Sequence, residues 1–236
     1  MTLVGNRLLP GNAETRWHVL PDQHALVAAV SERILGSAGH AIHERGVFRM
    51  VLAGGTTPAA VYARLTAADT DWSGWQIFYG DERCLPADHP ERNSNMASEH
   101  WLQRVALPAA NIHVIPAENG AEAAAQAYIP LVEQATPFDL VLLGMGEDGH
   151  TASLFPGNAA LGDTRPVVPV HHAPKPPPER VSLGLATLQA AGERIVLVAG
   201  RDKHAALQRV RAGERLPIAL AGPLLWFIDA EAGGPS

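Results

Sequence analysis

Apolar residues along this chain alternate between two rhythms. The short continuous runs "VFRMVLAGG", "WQIFYGDER", "FDLVLLGMG" and "RIVLVAG" are separated by longer stretches in which apolar positions recur at helical spacing. A continuous run of strand length leading into glycine or charge predicts a strand buried on both faces, and the intervening period predicts amphipathic helices.

Capping signals sharpen this reading. "DQHALVAAVSERILGSAGHAIHERG" opens on Asp22, a good N-cap, and stops at Gly46. "TPAAVYARLTA" predicts a helix with Thr57 as N-cap and Pro58 at its first position. "NSNMASEHWLQRV" and "GAEAAAQAYIPLVEQA" are helical, the second around an interruption at Pro130, and "NIHVIP" between them predicts a short strand. Further on, "TRPVVPVHHAPKPPPERVSLGLATL" is proline-rich and irregular, with strand-like pieces at either side. "RDKHAALQRVRAG" returns to helix, "GPLLWFIDAEA" closes the chain, and the tail "GGPS" is expected to fray. Alternating buried strands and helices predict the α/β class: a doubly wound, mostly parallel sheet with helices on both faces, in one domain spanning residues 1–236.

Ligands of such sheets bind beyond the carboxyl ends of the strands. Four strand exits here pass through glycine into polar or charged residues: "VLAGGTTP", "IFYGDERCLP", "LVLLGMGEDGH" and "VLVAGRDK". None carries a dinucleotide G-x-G-x-x-G pattern or a Walker lysine, so no nucleotide cofactor is expected.

Composition narrows the ligand. With 236 residues, 47% of them hydrophobic, a net charge of −6 and a pI near 6.0, the chain offers no general attraction to nucleic acid or an anionic membrane. An anionic ligand must therefore be held by a local cluster. Cys84 is the single cysteine, which excludes an internal disulfide and a Cys-based metal site and agrees with a reducing, cytoplasmic location. No apolar segment reaches membrane-spanning length and the first twenty residues lack a secretory leader, so secretion and membrane insertion are not expected.

Each exit has two readings. "GGTTP" is either a tight turn or an anion site in which the glycine backbone, Thr56, Thr57 and a helix N-terminus converge on a phosphate. "GDERCLPADHPERNSN" is either a solvated loop or the carrier of Asp81, Glu82 and Arg83 into the cleft; position at a strand exit favours function for Arg83 and decides nothing for Arg92. In "GEDGH", Asp148 either caps a turn or supports His150, an imidazole able to take and return a proton near neutral pH. The strand exit singles His150 out among eleven histidines. A metal is not expected, because Asp148 and His150 supply at most two ligands and His171 and His172 would point to opposite faces of a strand. Of eighteen basic residues only Lys175 and Lys203 are lysines: Lys203 lies at a strand exit and suits a phosphate, whereas Lys175 leads the stiff "KPPPER" loop as an exposed residue. Arg180 is a second-rank anion contact, and Cys84, with no base assigned to it, is an incidental thiol.

"LAGGTTP", "YGDERCLPADHPERNSN", "FDLVLLGMGEDGHTASLFPG", "KPPPERVSL" and "VAGRDKHAAL", in this order over most of the chain, resemble the 6-phosphogluconolactonase family. The resemblance implies a Rossmann-like fold shared with glucosamine-6-phosphate deaminases, ribose-5-phosphate isomerases, CoA transferases and sugar-phosphate-sensing regulators. It implies hydrolysis of 6-phospho-D-glucono-1,5-lactone to 6-phospho-D-gluconate in the oxidative pentose phosphate pathway, without metal or organic cofactor. The partner it implies is a small sugar-phosphate lactone, with no nucleic acid or membrane, acting on a monomer or small homo-oligomer.

Carried onto this chain, the resemblance implies His150 as the catalytic histidine with Asp148 beside it, and Gly55, Thr56, Thr57, Arg83, Lys203 and Arg180 as the phosphate-binding set. Thr56 stands where relatives often show serine, and "VSLGLATL" with Gly184 replaces a Thr-rich strand. Deaminases of the wider group continue with "IAFNEP" after the histidine, where this chain has "TASLFPG", and carry a "DEY"-like triplet in place of "DER". A non-catalytic sugar-phosphate sensor is the other alternative; the roughly twenty residues before the first helix are too few for a DNA-binding helix-turn-helix.

Overall fold

The computed structural model describes residues 14–234. The chain opens with β1 (Arg16–Leu20), α1 (Gln23–Arg45), β2 (Phe48–Leu52), α2 (Thr56–Leu65) and β3 (Trp75–Tyr79). It continues through β4 (Asp81–Arg83), α3 (Asn93–His100), α4 (Ala121–Ala135), β5 (Leu140–Gly144), β6 (Val167–Val170) and β7 (Arg180–Leu183). The last part holds α5 (Leu185–Gln189), β8 (Glu193–Val198), α6 (His204–Arg211), α7 (Pro217–Leu220), β9 (Leu225–Asp229) and α8 (Ala230–Gly233). The apolar patch at the start and the last two residues of "GGPS" lie outside the described residues; Gly233 ends α8.

Six strands form one parallel sheet in the order β1-β9-β8-β5-β2-β3. All four apolar runs supply strands to it, and their burial on both sides explains why they are continuous rather than alternating. Helix α1 buries Leu26, Val27, Val30, Ile34, Ala38 and Ala41, a helical stripe that packs against β2, β9 and α2. Its ends behave as their residues predict. Asp22 accepts from the Ala25 N–H at 2.7 Å, and Gly46 at φ +73 donates its N–H to Ile42.

Chain order within the sheet defines its crevice. From β2 the connection runs outward to β3, and from β5 it runs the other way to β8 and β9, so the neighbours β2 and β5 flank the topological switch point. "GGTTP" leaves β2 and "GMGEDGH" follows β5; both therefore open onto one crevice.

Local expectations fail in four places, each for a visible reason. The "DER" triplet does not extend β3. It forms β4 in a second, antiparallel sheet of order β4-β7-β6, built from the strand-like ends of the proline-rich stretch. "NIHVIP" is not a strand: only Ile112 bridges to Ile77, and the His113 carbonyl accepts from the Tyr128 hydroxyl instead of a strand neighbour. Helix α4 continues through Pro130, which lies on the solvent face. Finally, β1 pairs with β9 as a largely exposed edge strand, with Trp17 stacked on Trp226 at 4.6 Å; it has no buried apolar run to announce it.

Candidate active site

A cleft of about 520 Å³ opens at the switch point, lined by Gly55, Thr56, Thr57, Asp81, Arg83, His150, Lys175, Arg180 and Lys203 among others. Four separate strand exits and the proline-rich loop thus deliver their polar residues to one place.

His150 is half-buried behind glycine turns. Gly149 has φ +82, and a Cβ on it would meet Leu216 at 2.5 Å. The His150 Nδ1 lies 2.5 Å from Asp148 Oδ1, and the same oxygen accepts the His150 backbone N–H at 3.1 Å. An ionised carboxylate only accepts, so Nδ1 carries the proton and Nε2 keeps the lone pair. Burial lowers the His150 pKa below its ordinary 6.5, while the bond and charge of Asp148 act against that shift. Burial alone would raise the Asp148 carboxyl, but the hydrogen bonds from His150 hold it below the usual carboxylate value. The pair is thus a neutral imidazole backed by an anion.

The residues after His150 hold it against the rest of the cleft. Thr151 donates its hydroxyl to the Gly144 carbonyl, and Ser153 donates to Asp81 Oδ2 at 2.6 Å, tying this loop to β4. The Phe155 ring lies 4.4 Å from the His150 ring and carries the Arg180 guanidinium 5.5 Å from its centre. "TASLFPG" is therefore a bracket between the imidazole and the arginines.

On the opposite wall, α2 begins two residues earlier than its sequence predicts. Gly55, at φ +110, is the N-cap, and no side chain caps the helix. Thr57 is not the cap; with Thr56 it lies in the first turn, where the N–H groups are free of intrahelical partners, and both residues line the cleft. A Cβ on Gly54 would fall 2.1 Å from Asn93 Oδ1, so the turn and α3 approach as closely as backbone allows.

Arg83 and Arg180 are cross-strand partners of β4 and β7. Like charges directly opposite are unfavourable, and burial adds to the cost: it lowers the Arg180 pKa, Asp81 opposes that, and Arg83 reinforces it. The Arg180 guanidinium donates to the carbonyls of Lys175, Pro176 and Pro177, which fixes the proline loop. Arg83 donates Nη1 to the Glu91 carbonyl, and its buried Nε has no partner among the described residues. Two opposed cations with spare donors make a receptor for an anion.

Several charged residues prove structural. Glu82 is fully buried and accepts the N–H groups of Arg83, Asn93 and Ser94, capping α3. Arg92, 1% exposed, sits between Glu82, Glu118 and the Ile115 carbonyl. Cys84 lies off the cleft, and burial pushes its thiol up to about 11, so it is not poised as a nucleophile. His171 and His172 do not alternate on a strand; they follow β6, His171 pairing with Glu179 and His172 at φ +55. Among the described residues no group of three or more His, Cys, Asp or Glu is arranged to hold a metal, and no helix is long and apolar enough to cross a membrane. The Ser182 hydroxyl is buried against Ser153, and Gly184 is required because a Cβ there would meet the Arg165 carbonyl at 2.2 Å.

Three residues at or beside the cleft carry no site assignment in the sequence, although Asp81 stands at a strand exit facing it. Asp81 is buried and aimed at the cleft by Ser153 and Asn93, Phe155 supports the imidazole, and Lys175 is half-buried in the lining rather than simply exposed. The alternation of side chains along β4 separates Asp81 and Arg83 from Glu82, a signal available once β4 is known to be a strand.

The family model described as "Glucosamine-6-phosphate isomerases/6-phosphogluconolactonase" matches residues 21–225. A protein of Nostoc sp. named 6-phosphogluconolactonase is 38% identical over 231 residues, covering 91% of this chain and 95% of that one. One of the same name from Mycobacterium tuberculosis is 37% identical over 235 residues, with the same coverage of 91% and 95%. The crystal structure of 6-phosphogluconolactonase from Thermotoga maritima superposes with a TM-score of 0.86 at 29% identity, covering 92% of this chain and all of that one. The chain belongs to the glucosamine-6-phosphate isomerase/6-phosphogluconolactonase family, among its 6-phosphogluconolactonases.

Proposed function

We propose that this chain hydrolyses 6-phospho-D-glucono-1,5-lactone to 6-phospho-D-gluconate, with His150 as general base. The observation that carries the reading is the Asp148–His150 pair at 2.5 Å in a cleft whose far wall is an uncapped helix N-terminus and two opposed arginines. The names of the relatives supply the substrate.

In this mechanism the phosphate sits against Gly55, Thr56 and Thr57 with Arg83, Arg180 and Lys203 around it, which holds C1 beside His150. Neutral His150 takes a proton at Nε2 from a water that adds to the C1 carbonyl; the bond from ring oxygen to C1 then breaks, and the imidazolium returns its proton to that oxygen. Asp148 keeps the correct tautomer and stabilises the imidazolium in between. No covalent intermediate, metal or organic cofactor enters the sequence. One domain, residues 1–236, carries the whole reaction.

The test couples glucose-6-phosphate oxidation to the purified protein and follows lactone loss above its spontaneous rate, beside ammonia release from glucosamine 6-phosphate. Accelerated lactone loss without ammonia is expected; ammonia without accelerated loss assigns the deaminase reaction instead.

A further inference from the structure

Glu147 stands beside the two lysines of the cleft with its carboxylate between their ammonium groups. Its Oε1 lies 3.7 Å from Lys203 Nζ and 3.9 Å from Lys175 Nζ. The lysines come from separate elements, the turn after β8 and the proline loop before β7, and both line the cleft. Two other acids near them are tied down, Asp81 by Ser153 and Asn93 and Asp148 by His150, and Asp202 pairs with Lys203 alone at 2.8 Å. Glu147 is the carboxylate that touches both lysines; among the described residues only these long ion pairs hold it, and its side chain is 59% exposed.

Exposed ion pairs of this length are weak and readily exchanged. A phosphate dianion offers the same two cations more charge and more acceptor oxygens. We propose that Glu147 is a tethered counter-anion, occupying Lys175 and Lys203 in the empty cleft, yielding them to the ligand's phosphate, and competing for them again when product must leave. This rests on the reading of Lys203 as a phosphate contact.

Glu147→Gln removes the charge and keeps the shape. Titration calorimetry at low ionic strength, with inorganic phosphate and 6-phosphogluconate as probes, compares it with the unaltered chain and with Lys203→Ala. We expect Glu147→Gln to bind phosphate about threefold to fivefold more tightly, the factor of one exposed ion pair, and 6-phosphogluconate by a similar factor. The gain should shrink at high salt, as a purely steric role would not. If Lys203→Ala weakens phosphate binding but Glu147→Gln leaves it unchanged or weaker, the counter-anion role is overturned and the phosphate site stands. If Lys203→Ala leaves phosphate binding unchanged, the phosphate reading fails and this inference fails with it.

Discussion

A Cβ atom on Gly146 would lie 2.0 Å from the Nδ1 of His150 and 2.7 Å from Oδ1 of Asp148. The residue that leads out of β5 is thus a glycine because the imidazole–carboxylate pair occupies the space of a side chain. Gly146→Ala should displace the ring while the buried sheet keeps the fold. We predict a loss of kcat on the order of 10²-fold, the cost of misplacing a reacting group by about an ångström. Full activity in a folded Gly146→Ala protein would show that the ring position does not matter.

The protonation of His150 makes a second prediction. In the proposed mechanism His150 must be neutral, and burial places its pKa below 6.5, so kcat/KM should rise with pH along an acid limb centred below 6.5 and then level off. Asp148 raises that pKa. Asp148→Asn should therefore move the limb to lower pH, and should lower the plateau by at least about 10²-fold, since an amide can hold the wrong tautomer. A pH–rate series on both proteins reads both effects; a limb that moves upward contradicts the assigned pairing.

Arg83 on β4 and Arg92 at the end of the loop that follows it should behave oppositely. Arg83→Ala is expected to raise KM with little change in Tm, because this residue lines the cleft. Arg92→Ala strands Glu82 in the interior and should cost about 3–5 kcal/mol of stability. Denaturant unfolding with parallel kinetics separates them, and a destabilised Arg83→Ala with normal KM would reverse the assignment.

Lys203 is held in place by its own turn. Asp229, buried at the end of β9, accepts the Gly200 N–H and so anchors the turn that presents Lys203. Lys203→Ala should raise KM with kcat nearly retained, since a phosphate contact remote from C1 contributes equally to substrate and transition state. An unchanged KM counts against a phosphate role.

Periodicity and glycine-terminated apolar runs were enough to place four of the six strands of the parallel sheet, α1 with its caps, and the strand exits where polar residues gather. Those features are local: burial on both faces, capping hydrogen bonds and positive φ leave their mark within a few residues. The edge strand β1 and the irregular "NIHVIP" segment were not legible, because pairing partners set their conformation more than their own residues do. The same holds for the separation of Glu82 and Arg92 from Arg83. Which charge caps a helix and which faces a ligand depended on β4 joining a second sheet, whose partner β7 lies almost a hundred residues further along. The sequence by itself pointed to the chemistry of the candidate site; only the tertiary structure gathered its residues, because opposition across strands brought Arg83 to Arg180, the loop after His150 brought Asp81 and Phe155 beside it, and the proline loop carried Lys175 to the cleft.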